Sequence, residues 1–139
     1  MTYKDIEIGT EIPPLTKKIT IVQMVMYCAA TWDFARLHYD GKFAQSLGFQ
    51  RPVVDPQMHG AFLARMLTQW FSPEGKLKKL RIRYRLPSFL GDILTYKGKV
   101  VNKCVKDNEG YVDCNLLVEN QKGEHIVEGA AVTFFNSFY

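Results

Sequence analysis

Apolar side chains recur at helical spacing in two stretches of the chain. In TIVQMVMYCAAT, residues 20–31, Thr20 is a suitable N-cap and the apolar positions after it predict a helix of about three turns. A second helix is predicted over residues 57–71, with Pro56 in its first turn. Because apolar side chains cover most of its circumference, we expect this second helix to be buried on nearly every side.

The second half of the chain has the pattern of strands. Residues 76–86, KLKKLRIRYRL, alternate cationic and apolar side chains, as in a strand that buries one face. Three longer strands follow, and the turn-like spacers DNEG and NQKG between them favour an antiparallel meander. These strands are predicted at residues 93–105, 111–119 and 125–135.

One long apolar helix followed by four antiparallel strands packs well when the sheet curls around the helix. The sequence therefore predicts an α+β hotdog fold, in which an antiparallel sheet wraps a central helix. A short extended segment at residues 15–20 and a short helix at 40–47 complete the expected elements. At 139 residues, we expect a single domain spanning residues 1–139.

Composition excludes several classes of protein. With 47% hydrophobic and 23% charged residues, the chain has enough apolar material for a core and is not of the disordered type. It has no apolar run near the ~20 residues of a membrane-spanning helix and no apolar signal stretch, so we expect a cytoplasmic protein without membrane contact. Its three cysteines form no CxxC pair and no metal-ligand spacing with the histidines, which predicts reduced thiols and no metal.

The charge is basic and concentrated. The net charge is +4, and six of the 18 Lys and Arg residues lie between positions 76 and 85. A cationic strand face is ordinarily a solvated outer surface, but Lys79, Arg81, Arg83 and Arg85 are also suited to bind phosphates. A nucleic-acid-binding module is the alternative from another class; no helix-turn-helix, zinc-finger or RNP-like motif accompanies the charge, so no nucleic acid partner is expected.

A carboxylate and an imidazole stand close together between the first two predicted helices, in the segment WDFARLHYD. Loops held by a rigid scaffold often carry catalytic groups, and Asp33 and His38 within reach of one water would share its proton transfer. The plain structural interpretation is a helix-capping Asp and a surface His.

The pair His59-Gly60 lies near the start of the long helix. Free N–H groups at a helix N-terminus can hold a developing oxyanion, and glycine lets a ligand approach the backbone. The plain alternative is that Gly60 allows a strand to cross closely and that His59 is a core histidine with satisfied hydrogen bonds.

With these residues in view, the chain resembles the MaoC-like dehydratases, also called (R)-specific enoyl-CoA hydratases, which have hotdog folds. Four segments carry the resemblance in order. Residues 8–20 resemble the lead-in strand, residues 33–38 (DFARLH) match D-x-N-P-I-H at its Asp and His, His59-Gly60 matches the His-Gly at the head of the central helix, and residues 91–95 (GDILT) resemble Gly-Asp-x-Leu. Ala35-Arg36 departs from the Asn-Pro of the family motif.

The resemblance implies reversible hydration of a trans-2-enoyl thioester to an (R)-3-hydroxyacyl thioester. Asp33 and His38 would activate the water and move its protons, and the Gly60 amide would bind the thioester oxygen. No cofactor is implied, because coenzyme A or acyl-carrier protein belongs to the substrate. We expect further substrate contacts from several side chains, with Arg36 either pairing with an acyl carboxylate or facing solvent. They are His59, Arg36, Phe62, Arg81 and Arg83.

Family members work as dimers, so a homodimer or a heteromer with another hotdog chain is expected. One alternative function is a subunit of a heteromeric hydratase without independent activity. Another is a hotdog thioesterase, which usually places an acidic residue on the central helix. Residues 57–71 contain no Asp or Glu, which disfavours hydrolysis.

Overall fold

Five strands and three α-helices make up the structure, a computed structural model that describes residues 1–136. In chain order they are β1 (Glu11–Lys18), α1 (Ile21–Thr31), a 3₁₀ turn (Arg36–His38), α2 (Gly41–Ser46), α3 (Pro56–Phe71), β2 (Gly75–Tyr84), β3 (Ile93–Lys106), β4 (Glu109–Glu119) and β5 (His125–Phe135). No helix within residues 1–136 combines the length and the apolar character needed to cross a membrane.

The strands form one antiparallel sheet in the order β1-β3-β4-β5-β2. The predicted meander is β3-β4-β5, and β2 joins it on the outer side of β5. Helix α3 packs on β2, β1 and β3, and its buried residues belong to the same core cluster as those of the strands. The predicted α+β hotdog arrangement is confirmed.

The first strand begins earlier than the sequence pattern indicates. It spans Glu11–Lys18 rather than residues 15–20, and it includes Pro13 and Pro14. The strand lies at the edge of the sheet, and its register with β3 shifts between Ile12 and Leu15. Prolines are tolerated at such an irregular edge because no ladder hydrogen bond is needed from them.

Helix α3 is not buried on every side, so that prediction was wrong. Its buried residues lie toward the sheet, whereas Gln57, Ala61 and Arg65 are exposed along the outer side. The reason is that one sheet covers only one flank of the helix. The buried residues are Met58, His59, Leu63, Met66, Leu67 and Phe71.

Helix α1 forms as predicted, with a capping box in which Thr20 and Gln23 exchange side-chain and backbone hydrogen bonds. Only Met24 and Cys28 of this helix are buried. Four large apolar side chains of the helix point outward and remain between 38% and 66% exposed. We call them the α1 apolar face: Ile21, Val22, Val25 and Met26.

Strand β2 keeps the predicted alternation over its middle. Lys79, Arg81 and Arg83 are exposed, while Leu80 and Ile82 pack partly buried against the core cluster. The alternation ends there, because the next apolar side chains along the chain are each 48% exposed. Those side chains are Tyr84 and Leu86.

Candidate active site

Asp33 is placed by the end of helix α1. Trp32 caps the helix in the left-handed conformation, with φ 58°, and the N–H of Asp33 bonds to the carbonyl of Cys28 at 3.0 Å. This turn leads the chain away from the helix. The Asp33 carboxylate then accepts a hydrogen bond from the Ala35 N–H at 3.2 Å, which fixes the side chain beside the segment that follows.

His38 is buried on the 3₁₀ turn, with 7% of its surface exposed. Its Nδ1 lies 2.8 Å from the carbonyl oxygen of Val53. A carbonyl oxygen only accepts, so Nδ1 carries the hydrogen and Nε2 keeps its lone pair. The imidazole is thereby held in the tautomer that can take a proton at Nε2.

A third side chain, Asp55, meets these two. It is the N-cap of helix α3, is 4% exposed, and its Oδ1 accepts a hydrogen bond from the Gln57 N–H at 2.8 Å. One carboxylate oxygen each of Asp33 and Asp55 and one ring nitrogen of His38 lie within 4.8 Å of one another. We call this group the Asp33–His38–Asp55 cluster.

Sequence reasoning found two members of the cluster and missed the third. The Asp-Pro pair at the start of a helix predicts a cap, and Asp55 is one. Nothing in the pattern indicates that this cap also faces Asp33 and His38, because the segments are brought together by contacts such as the Val53 N–H bond to the Leu37 carbonyl at 3.1 Å.

The cluster is surrounded by groups that stay protonated. Burial, followed by the charge of Asp55, raises the pKa of the Tyr27 and Tyr84 phenols. Burial together with the charges of Asp55 and Asp33 raises the pKa of the Cys28 thiol. These neutral neighbours do not supply a counter-charge to the two carboxylates.

Two carboxylates and an imidazole at this spacing are also ligand types that divalent metals accept. The expectation of no metal, drawn from the spacing of the cysteines and histidines, stays a prediction.

Gly60 does not lie at the head of the central helix. Helix α3 begins at Pro56, so the Gly60 N–H is one turn inside and bonds back to the Pro56 carbonyl in the helical ladder. A Cβ at Gly60 would stand 3.0 Å from Cδ1 of Ile82 on β2. The structure therefore gives Gly60 a close-packing role and leaves its amide without a free hydrogen for an oxyanion.

The first turn of α3 offers no free amide in its place. Pro56 has no N–H, the Gln57 N–H bonds to the Asp55 side chain, and the Met58 N–H bonds to the Asp55 carbonyl at 3.0 Å. Asp55-Pro56 thus occupies the helix head, where the family resemblance expects His-Gly.

His59 has the surroundings of a core histidine. It is 2% exposed, its Nδ1 lies 3.2 Å from the Tyr96 hydroxyl, and its Nε2 lies 3.0 Å from Oγ of Ser88. Burial lowers the pKa of His59 to about 4, so the ring is neutral at pH 7. Both nitrogens are already occupied, which favours the structural interpretation over substrate binding.

The remaining predicted contacts are spread over the surface. Arg36 pairs with Asp40 at 2.6 Å and lies 4.8 Å over the Phe43 ring, with 61% of its side chain exposed, which fits the solvent-facing interpretation. Phe62 packs on Tyr96 with 5.2 Å between ring centroids. Its side chain also lines an apolar cavity of about 310 Å³ between α1 and α3.

Arg81 and Arg83 line a surface groove of about 390 Å³ together with Arg85 and Glu128, which we call the arginine groove. Arg85 pairs with Glu128 at 2.6 Å, whereas Arg81 and Arg83 have no ion-pair partner among residues 1–136. Their guanidinium groups are therefore available to an anion.

The arginine groove adjoins the head of α3. Arg85 also lines a cavity of about 270 Å³, whose other walls include Val54, Pro56 and Tyr84. The residues on either side of Asp55 thus border the cavity next to the groove. A larger cavity, of about 410 Å³, lies elsewhere, along β1, β3 and β4.

Comparison with known proteins gives this geometry a family. The MaoC-like domain matches residues 5–122. The chain belongs to the MaoC-like family. The resemblance seen in the sequence is confirmed over most of the chain.

Individual relatives of the chain also include hydratases. Over 133 residues the chain is 25% identical to an (R)-specific enoyl-CoA hydratase of Aeromonas caviae, covering 95% of this chain and 97% of the relative. It is 24% identical over 119 residues to the 3-oxo-4,17-pregnadiene-20-carboxyl-CoA hydratase beta subunit of Mycobacterium tuberculosis, covering 86% and 89%. The fold matches an R-hydratase structure from Pseudomonas aeruginosa with a TM-score of 0.88 at 23% identity, covering 96% and 84%.

Proposed function

We propose that this MaoC-like protein interconverts trans-2-enoyl thioesters and (R)-3-hydroxyacyl thioesters by addition or removal of water. The observation that carries the proposal is the convergence of Asp33 and His38 within 4.8 Å, with His38 in the tautomer whose Nε2 can accept a proton. Homology to an (R)-specific enoyl-CoA hydratase supports the same reaction.

The chemistry needs a base for water and an acid for the substrate. In hydration, the oxygen of water forms a bond to C3, one hydrogen of that water passes to the base, and Cα takes a proton. Asp33 and His38 are the groups proposed for these transfers, since both reach one point and His38 Nε2 is free within residues 1–136. The (R) configuration at C3 is proposed from the similarity to the (R)-specific enoyl-CoA hydratase of Aeromonas caviae.

The arginine groove supports a thioester whose carrier has phosphates. Arg81 and Arg83 are unpaired within residues 1–136, and the groove meets the cavity at the head of α3 through Arg85. Guanidinium groups bind phosphate through charge-assisted hydrogen bonds. We propose coenzyme A or the acyl-carrier protein as the carrier, with the phosphates in this groove and the acyl end toward the cluster.

A second candidate is a subunit of a heteromeric hydratase. Two observations favour it: the α1 apolar face is uncovered in the single chain, and the amides in the first turn of α3 are occupied. A partner hotdog chain would cover the first and supply a donor for the thioester oxygen. The Mycobacterium tuberculosis relative is named as a beta subunit, which agrees with this candidate.

The test begins with the purified chain and its mass in solution. Crotonyl-CoA, a medium-chain trans-2-enoyl-CoA and a cyclic enoyl-CoA are then offered, and loss of the conjugated enoyl absorbance is followed. Turnover by the chain alone supports the first proposal. Absence of turnover with all three thioesters contradicts an independent hydratase. Free thiol is measured alongside, because hydrolysis of the thioester also removes the conjugated enoyl absorbance: absorbance loss without free thiol is hydration, and absorbance loss with free thiol identifies a thioesterase.

A further inference from the structure

We propose that Asp55 is a third working group of this site: its carboxylate binds the catalytic water and shares a proton with Asp33 and His38. This inference rests on the proposed hydratase function and adds to it a residue from a different element, the head of α3. The Asp33–His38–Asp55 cluster would then act as one proton-holding unit rather than as a pair.

Asp55 is rigidly presented. As N-cap of α3 it is followed by Pro56, and its Oδ1 is held by the Gln57 N–H at 2.8 Å. Its Oδ2 has no hydrogen-bond partner within residues 1–136 and is left for the cluster. The N-terminal end of the helix dipole stabilises a carboxylate at this position.

Water can reach the unpartnered atoms of the cluster. Among residues 1–136, the only fully buried side-chain polar atom without a hydrogen-bond partner is Thr133 Oγ1. Asp55 Oδ2 and His38 Nε2 also have no protein partner in that range, so neither is sealed from solvent. Asp33 and Asp55 have no ion-pair partner there either, and water is the group left to satisfy them.

Proton counting explains why a third acceptor matters. The Asp33 carboxylate, the Asp55 carboxylate and His38 Nε2 all accept hydrogen bonds, but one water has only two hydrogens. The three groups hold one water together when one extra proton is already among them. In hydration that proton goes to Cα, the hydroxyl of water goes to C3, and the remaining hydrogen of water restores the cluster.

The discriminating variant is Asp55→Asn, because Asn caps a helix as well as Asp does but cannot carry the proton. The matched control is Asp40→Asn. Asp40 caps α2 through the same kind of contact, a bond from the Phe43 N–H at 3.0 Å, and lies outside the cluster. Thermal unfolding of both variants verifies that the caps are kept.

Two measurements are made on each variant. With crotonyl-CoA, or the best thioester of the panel, we expect Asp55→Asn to lower kcat by about 10²-fold with little change in KM and to alter the pH profile of kcat, while Asp40→Asn leaves all three unchanged. Independently of turnover, we expect the ring ¹⁵N signals of His38 to move in Asp55→Asn and to stay in place in Asp40→Asn.

The two measurements separate this inference from the proposed function. Wild-type kcat and an unchanged pH profile in Asp55→Asn would show that Asp55 is a cap and nothing more. If the wild-type chain turns over no enoyl thioester, the hydratase proposal fails, and the His38 signals decide the inference alone. A response to Asp55→Asn supports the shared cluster, and signals that do not move overturn it.

Discussion

His38 donates its Nδ1 hydrogen to the carbonyl oxygen of Val53 at 2.8 Å. Val53 also bonds through its own N–H to Leu37, and Val54 bonds through its N–H to the Ser88 carbonyl at 2.9 Å. The segment before α3 therefore fixes the imidazole, delivers Asp55 and is itself tied to the loop after β2. A small movement of this segment would displace two members of the cluster together.

The first prediction concerns the two residues found from the sequence. Asp33→Asn removes one of the two groups proposed to transfer protons, and His38→Ala removes the other, so each is expected to lower kcat by about 10²- to 10⁴-fold. The check is loss of enoyl absorbance, with circular dichroism to verify the fold. His125→Ala is the control, because His125 is exposed and pairs only with Glu119 and Glu128 within residues 1–136. Near-normal turnover in either variant would overturn the assignment.

The second prediction concerns the arginine groove. Arg81→Gln with Arg83→Gln removes two cations that lack protein partners within residues 1–136, and KM for an enoyl-CoA is expected to rise about tenfold while kcat stays close to the wild-type value. The difference should shrink at high salt, since the groove is open to solvent. Lys42→Gln with Lys122→Gln changes the net charge equally on other exposed positions. An equal KM in both double variants at every salt concentration contradicts phosphate binding here.

The third prediction is the pH dependence contributed by His59. Its pKa is lowered from 6.5 to about 4 by burial, so the folded chain binds this proton only near pH 4, whereas the unfolded chain binds it near pH 6.5. The contribution of His59 to the free energy of unfolding is therefore complete above pH 6.5. As the pH falls toward 4, the free energy of unfolding decreases by about 3 kcal/mol because of this residue.

Urea unfolding at pH 7 and at pH 4 measures this loss. In His59→Gln the fall in unfolding free energy on acidification should be smaller than in the wild type, because Gln does not titrate. In His125→Gln, a change at an exposed histidine, the fall in unfolding free energy between pH 7 and pH 4 should equal that of the wild type. Equal falls in the wild type and His59→Gln would show that His59 contributes none of the dependence.

The fourth prediction tests the close contact between Gly60 and Ile82. Gly60→Ala gains about 1 kcal/mol of helix propensity but places its Cβ 3.0 Å from Ile82 Cδ1, so its net change in stability should be small. Ile82→Val removes that Cδ1 and frees the space. The double variant should therefore be more stable than the sum of the single changes by at least about 0.5 kcal/mol in urea unfolding. If the stability changes of the two single variants simply add in the double variant, there is no steric conflict between a Cβ at position 60 and the Ile82 side chain.

The architecture followed from local patterns. Helix α1 and strands β3 to β5 lie within about two residues of their predicted bounds, because periodicity, caps and turn residues act over short distances. The order of the strands in the sheet was not readable from those patterns. Nor was the exposure of α1 and of the outer side of α3, which depends on what packs against them.

The residues of the candidate site also divide into those that the sequence indicates and those that only the structure identifies. Asp33 and His38 were visible in the sequence because they are near neighbours in one motif, and the family match could be read from them. The family resemblance placed His59-Gly60 at the helix head, although Pro56 already marks the first turn in the sequence, and the pair lies one helical turn inside α3. The sequence by itself determined the fold class, the family and two of the three side chains of the Asp33–His38–Asp55 cluster. Tertiary structure alone brought Asp55 to those groups, because their meeting depends on hydrogen bonds between segments distant in the sequence, such as the Val53 N–H bond to the Leu37 carbonyl, which local patterns do not encode.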